Sequence, residues 1–468
     1  MKLLKYFIVF TILTQFSCAS TQAQTGKTTA SKPNIIFILA DDLGIGNISC
    51  YGADNFKTPN IDKLASTGMR FTHGYTAPLC GPSRSLILTG RYPFRTGTTN
   101  QDKVGELKPS QEVCTPTVLK SAGYVSTMVG KWSQFPLQPS DFGFDDYLRF
   151  QASGKYWNTQ AKNKSYTENG KDVPLRDKEY LPDVMHNHVV DFISKNKDKP
   201  FFAYYSMSHI HGDILPTPDS KPDSKDLYTD NINYMDKLVG KLVKVLDSLK
   251  IRENTLIVFM GDNGTAAEGA VRATVNGKKL SGKKGDMLEC GSLVPWIANW
   301  KGIIKPKVLE DLVDATDLMP TFAELTGAKL PENVILDGTS FAPQLKGEKG
   351  KPREWIFMEL GNQWYAREAK WKLNRTNELF DMSNAPFEEK LVAADTKDEA
   401  AIAARQRLTG VLAKLNPEGG ILDDADGSGR HKSNVDKMNA KKKGNATGGE
   451  KPTKEEKKAK KEKKKQKD

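Results

Sequence analysis

The ten residues "PNIIFILADD" (33–42) set the architecture of the chain. Ile35 to Leu39 are apolar without a break, the pattern of a strand covered on both faces, and the run stops at two carboxylates, Asp41 and Asp42. Three other stretches repeat the arrangement. "GYVSTMVGKW" reads as a strand ending at Lys131, "KPFFAYYSMSHIHGD" as one ending at His209 and His211, and "NTLIVFMGDNGT" as one ending at Asp262-Asn263. Helical spacing lies between them. "TPNIDKLASTG" has Pro59 near its start and Gly68 at its end, and roughly 230–249 carries Leu238, Leu242, Val245 and Leu246 on one stripe. Apolar strands separated by helices predict an α/β fold, a mostly parallel sheet with helices on both faces. Sheets of this kind place their sites beyond the carboxyl ends of the strands. Four strand ends rich in polar, ionisable residues therefore predict a single shared site.

The chain has 468 residues and a formal net charge of +12, but that charge is unevenly placed. Residues 430–468 hold 16 basic and 6 acidic residues, a net of +10, and residues 1–23 add +2. The stretch between is neutral, so the high isoelectric point does not mark the body as a nucleic-acid binder. The start, "MKLLKYFIVFTILTQFSCASTQAQ", has a basic beginning, a short apolar run and small polar residues, the pattern of a signal peptide rather than a membrane span. It predicts export, to the periplasm or the outer membrane. Two processing readings stand side by side: cleavage near Ala23, or lipidation of Cys18, which would be the only membrane attachment. Four further cysteines, Cys50, Cys80, Cys114 and Cys290, show no metal-ligand spacing. Nothing in the sequence selects a Cys50–Cys114 disulfide, and Cys50, Cys114 and Cys290 read as small buried hydrophobes.

The expected organisation is a signal peptide over 1–23, a catalytic domain over 33–340, a small C-terminal α+β subdomain over 341–417 and a Lys-rich tail over 418–468. "EWIFMELGNQWYAREAKWKLN" alternates apolar and polar residues as strands do, and a helix is expected at about 396–415. The tail, ending "KPTKEEKKAKKEKKKQKD", has too few apolar residues to build a core.

Asp41, Asp42, Asp262 and Asn263 supply oxygen donors suited to a hard divalent cation, Ca²⁺ or Mg²⁺. In "TAPLCGPSRSLILTGR" (76–91), Cys80 stands just ahead of Pro82, a residue suited to a first helical turn. A helix starting there aims N–H groups at Cys80 and at any anion beside it, and Arg84 adds a permanent charge. Lys131 and Lys284 are candidates for the same anion, and the set suits a sulfate or phosphate group. On these residues alone Cys80 remains open as a thiol nucleophile, a metal ligand or half of a disulfide. Only one of His209 and His211 is expected to reach the site; His186 and His188, two apart on a helix, and His73 and His431 read as structural.

"CGPSR" followed by "LTGR" resembles the signature of the type I sulfatases, in which C-x-P-S-R leads into T-G-R. "PNIIFILADDLGIGNISCYG", "GYVSTMVGKW", "FMGDNGT", "GKKGDMLECGSLVP" and "ELFDM" follow in that family's order, so the resemblance covers roughly 33–395. It implies an alkaline phosphatase-like fold and a Cys80 oxidised to Cα-formylglycine by a formylglycine-generating or sulfatase-maturating enzyme. The aldehyde's hydrate would supply the attacking hydroxyl, with its second hydroxyl expelling sulfate. The resemblance further implies Ca²⁺ in preference to Mg²⁺, held by Asp41, Asp42, Asp262 and Asn263 with modified Cys80 nearby. Arg84 would steady the formylglycine, and Lys131 and Lys284 would bind sulfate oxygens. His211 falls at the sulfate-contacting histidine, a candidate acid, with His209 the runner-up. The expected substrate is a sulfated carbohydrate or polysaccharide.

Three positions depart from that pattern. G-K-W-H becomes Gly130-Lys131-Trp132-Ser133, H-x-P becomes His211-Gly212-Asp213, and E-G-G becomes Glu289-Cys290-Gly291. Two other functions are kept beside the sulfatase one: a phosphodiester or phosphonate ester hydrolase of the same superfamily, and a non-catalytic binder of sulfated glycans, which the absent histidine motivates.

Overall fold

A computed structural model describes residues 32–150, 154–159 and 164–419. The signal peptide, Cys18, Ala23, His431 and all of the Lys-rich tail beyond residue 419 lie outside the described residues. Among those described, no helix is long and apolar enough to cross a membrane.

The main sheet has ten strands: β1 Asn34–Ala40, β2 Met69–Tyr75, β3 Val125–Lys131, β4 Asp146–Phe150, β5 Ser165–Glu168, β6 Lys171–Pro174, β7 Phe201–Ser206, β8 Thr255–Gly261, then, past a separate two-stranded hairpin of β9 Thr274–Val275 and β10 Lys278–Lys279, β11 Trp296–Trp300 and β12 Lys307–Asp314. Their order is β12-β2-β11-β8-β1-β7-β3-β4-β5-β6. The central five, β8-β1-β7-β3-β4, run parallel, while β11, β5 and β6 are antiparallel to their neighbours. The sheet is thus mixed and mostly parallel at its centre, as the buried apolar runs require.

All seven residues of β1 are buried, because each face of the sheet carries its own core. Ile35, Phe37 and Leu39 face one side, packed with Leu86, Leu88 and Phe322; Ile36, Ile38 and Ala40 face the other, packed with Leu238 and Leu242. The stripe on the long helix, observed over Leu227–Ser248, meets this second face, and Leu238 and Leu242 are fully buried there.

A smaller antiparallel sheet follows, β13 Ile356–Leu360, β14 Gln363–Arg367, β15 Trp371–Asn374, β16 Leu379–Asp381 and β17 Lys390–Leu391, paired in chain order. The helix Glu399–Leu415 lays Ala401, Ala404 and Leu408 against Ala366, Trp371 and Leu373. Arg367 of β14 reaches the main body as a buried partner of Glu289, with Nη2 3.0 Å from Oε1. Lys372 of β15 donates to the Met287 carbonyl at 2.7 Å. The small sheet therefore grips the segment that follows Lys284.

Candidate functional site

Register aligns the ends of four adjacent strands. Ala40 pairs with Gly261, Leu39 with Ser206, and Gly130 with Ser206, so the residues just beyond β1, β8, β7 and β3 share one rim. Asp41-Asp42, Asp262-Asn263 and Lys131 are all buried there. Gly130, with φ 117°, allows the close passage of β3 and β7: a β-carbon on it would fall 1.8 Å from the Ser206 carbonyl oxygen.

Cys80 opens the helix Cys80–Thr89, every residue of which is buried. Arg84, one turn in, is the hub of the site. Its Nη2 and Nε donate to Asp262 Oδ2 at 2.6 and 3.2 Å, and its Nη1 donates to the Lys131 carbonyl at 3.1 Å and to Ser206 Oγ. Burial opposes the guanidinium charge, yet the Asp262 carboxylate more than offsets this and raises its pKa. Lys131 is likewise desolvated and still held above its ordinary value by Asp41, whose Oδ1 lies 2.8 Å from Nζ. Lys284 Nζ lies 2.7 Å from Asp42 Oδ1, and that contact raises its pKa against the cost of burial.

The carboxylates form two overlapping groups. Ligand atoms of Asp41, Asp42 and His211 lie within 4.8 Å of one another, as do those of Asp41, Cys80 and Asp262. Burial raises the Asp262 carboxyl above its ordinary value, and repulsion from Asp41 adds to it. Two oxygens in this cluster, Asp41 Oδ2 and Asn263 Oδ1, are buried without a hydrogen-bond partner. Such atoms are costly unless something accepts their lone pairs. Oxygen donors, crowded negative charge and orphaned lone pairs fit a hard divalent cation.

Burial also pushes the Cys80 thiol above its ordinary value, against the pull of Lys131. A buried, protonated thiol is a poor nucleophile in its own right. Cys50, Cys114 and Cys290 are free, as Cys80 is, so the Cys50–Cys114 bridge is not formed. Cys290 is packed against the Pro386 carbonyl, a small buried residue, and Cys50 is only partly buried.

The two candidate histidines part company. β7 ends at Ser206, so the strand is over before either residue and the alternation of a strand does not apply to them. His211 Nδ1 is 2.7 Å from the Gly212 carbonyl, which can only accept, so Nδ1 carries the hydrogen and Nε2 faces the site, 3.6 Å from Asp42 Oδ2. His209 is fully buried, bonded through Nε2 to the Tyr180 hydroxyl at 3.0 Å and packed on Tyr156 and Tyr234. His188 bonds Asp146, His186 packs on Tyr205, and His73 Nδ1 lies 3.0 Å from the Glu310 carbonyl.

Two site residues escaped the sequence reading. Ser206, last residue of β7, binds Arg84 and donates to the Lys131 carbonyl at 2.8 Å; its place at a strand end was the available signal. Gln101, whose Oε1 lies 3.2 Å from Cys80 Sγ, comes from a loop with no periodicity to announce it. Ser133 Oγ is buried and has no hydrogen-bond partner.

The sequence model of one protein family, described as "Sulfatase", matches residues 33–328. Arylsulfatase A of Homo sapiens is 33% identical over 369 residues, which cover 71% of this chain and 71% of that protein. N-acetylgalactosamine-6-sulfatase of Canis lupus familiaris is 34% identical over 349 residues, covering 67% of this chain and 66% of that one. Among solved structures, Ps i-CgsB in complex with k-i-k-neocarrahexaose superposes with a TM-score of 0.72 at 27% identity, covering 87% of this chain and 99% of that one.

Proposed function

Because the chain belongs to the sulfatase family and is a sulfuric ester hydrolase, we propose that it is an exported enzyme that removes sulfate from a sulfated carbohydrate by way of a formylglycine made from Cys80. The observation that carries this reading is the ring of Arg84, Lys131, Lys284 and His211 about three carboxylates beside the first turn of the Cys80 helix. An anionic ester placed there meets fixed positive charge in a largely water-free setting, where such charge acts most strongly.

Each residue has a role it can perform. Lys131 and Lys284 bind sulfate oxygens. Arg84 holds Asp262 and fixes the end of β7 against the end of β3 through Ser206 and the Lys131 carbonyl. His211, with Nδ1 committed to the Gly212 carbonyl, exchanges a proton at Nε2 and can give it to the departing alcohol. Ca²⁺ would be held by Asp41, Asp42, Asp262 and Asn263, where it would neutralise charge on the sulfate oxygens. A formylglycine at position 80 would supply, as its hydrate, the hydroxyl nucleophile that the buried thiol does not.

The saccharide class is supported by Ps i-CgsB, whose structure holds k-i-k-neocarrahexaose, and by the signal-peptide pattern, which also favours a periplasmic or outer-membrane place, with Cys18 the candidate lipid anchor. Maturation would require a formylglycine-generating or sulfatase-maturating enzyme. Peptide mass spectrometry of position 80, followed by turnover of 4-nitrophenyl sulfate, a nitrophenyl phosphodiester and a panel of defined sulfated saccharides, tests the reading. An aldehyde at position 80 and release of sulfate from a saccharide are expected. Faster phosphodiester cleavage, or glycan binding without desulfation by aldehyde-bearing protein, overturns it.

A further inference from the structure

Gln101 opens a short 3₁₀ turn, Gln101–Glu106, that lies over the first turn of the Cys80 helix. Its backbone N–H is fixed by Asn100 Oδ1 at 2.7 Å. Its carboxamide Oε1 stands 3.0 Å from Gly81 N and 3.2 Å from Cys80 Sγ. A backbone N–H can only donate, so Oε1 rather than Nε2 must face the helix, and the orientation of the carboxamide follows from chemistry. The approach is close: a β-carbon on Gly81 would lie 2.4 Å from Val104 Cγ1 and 2.8 Å from Gln101 Oε1. Position 80 therefore has cationic side chains, carboxylates and one neutral acceptor about it. The hydroxyl of Ser133, which stands where the resemblance places a histidine, has no hydrogen-bond partner.

We infer that Gln101 is the positioning residue for the reacting group at position 80. In place of the thiol it now binds, its Oε1 accepts a hydrogen bond from one hydroxyl of the hydrated formylglycine. That bond favours the hydrate over the free aldehyde and fixes its rotation about the side-chain bond, so that the other hydroxyl is turned to the anion side. A carboxamide does not take up a proton near neutral pH, so Gln101 orients and does not act as a base. The inference rests on the proposed formylglycine sulfatase reading.

The test compares full-length wild type, Gln101→Leu and Gln101→Glu, each checked for aldehyde content at position 80 by mass spectrometry and for melting temperature. Two readouts follow: steady-state kinetics on the sulfate ester that wild type turns over, and the rate of oxime formation with hydroxylamine, which reacts with the free aldehyde. Gln101→Leu is one bond shorter, keeps an apolar stem and loses the acceptor. It is expected to lower kcat by about 10- to 100-fold with little change in KM, the size typical of losing a group that orients a reactive one, and to form the oxime several-fold faster. Gln101→Glu keeps an acceptor oxygen, so kcat and oxime rate stay near wild type, while the added negative charge raises KM for the anionic substrate. Wild-type kcat and oxime rate in Gln101→Leu at equal aldehyde content overturn the inference. So does an equal fall of kcat in both variants, or a fall that only tracks lost aldehyde. A wild type that carries the aldehyde and desulfates nothing overturns the sulfatase reading, and this inference with it.

Discussion

Lys131 Nζ lies 2.8 Å from Asp41 Oδ1, and both groups are buried. The same carboxylate offers Oδ2, without a partner, to the proposed cation site. Lys284, partly buried, contacts both oxygens of Asp42, Oδ1 at 2.7 Å and Oδ2 at 2.8 Å. Each lysine is thus held by a carboxylate that a divalent cation would also draw on.

A cation that takes up the charge of Asp41 and Asp42 loosens the hold on Lys131 and Lys284 and frees them for an anion. Cation and sulfate binding should then be positively coupled, each tightening the other by the same factor. Calorimetric titration of inorganic sulfate is expected to show at least about fivefold tighter binding with Ca²⁺ than after chelation, within the usual range of coupling between linked sites. Equal affinity in the two conditions would show that the lysines are not gated by the carboxylates.

Cys80→Ala should fold normally, because a small buried side chain is replaced by a slightly smaller one, and should lose turnover by on the order of 10⁴-fold or more, as removal of a nucleophile does elsewhere. Cys80→Ser should do nearly the same in a host whose maturation machinery converts only cysteine. Near-native activity in either variant would rule out a formylglycine derived from this residue.

Much of this site was legible because strand ends announce themselves. The apolar runs before Asp41 and Asp262 are long and uninterrupted, as suits strands buried on both faces, while the run before Lys131 is broken by Ser126 and Thr127. The parallel order then brings their ends together without further information. His209 and His211 were harder. They share a strand-like stretch of sequence, but β7 stops at Ser206, and where a strand stops depends on its neighbours, not on its own residues. Gln101 was not legible at all. Its role depends on a short turn folding back over the Cys80 helix, a contact across 21 residues that no local pattern encodes.

Arg84 is fully buried, and its guanidinium binds Asp262, the Lys131 carbonyl and Ser206 at once. Arg84→Ala leaves Asp262 as a buried carboxylate without its principal partner, and breaking such a pair costs about 3–5 kcal/mol. Arg84→Lys keeps the charge but cannot serve all three partners, so it should recover part of that stability and little of the activity. Chemical denaturation and turnover of the same preparations separate the two effects. Full activity in Arg84→Lys would mean that charge alone suffices.

His209 gives the fold a dependence on acid that is separate from catalysis. Burial lowers its pKa from 6.5 to about 3 in the folded protein. Between those values the unfolded chain binds a proton that the folded chain does not, so stability rises with pH there and is lost as pH falls from 6.5 toward 3. The slope from one such group is at most about 1.4 kcal/mol per pH unit. His186, lowered to about 4 chiefly by burial, acts in the same direction over an overlapping window. His209→Phe removes one of the two titrations while filling the space between Tyr156, Tyr180 and Tyr234. The variant gives up the bond to the Tyr180 hydroxyl at every pH, so its melting temperature should be lower at pH 8. The distinguishing quantity is the slope of melting temperature against pH below 6.5, which should be shallower in His209→Phe than in wild type. Parallel curves for the two proteins would mean that His209 takes up its proton without unfolding.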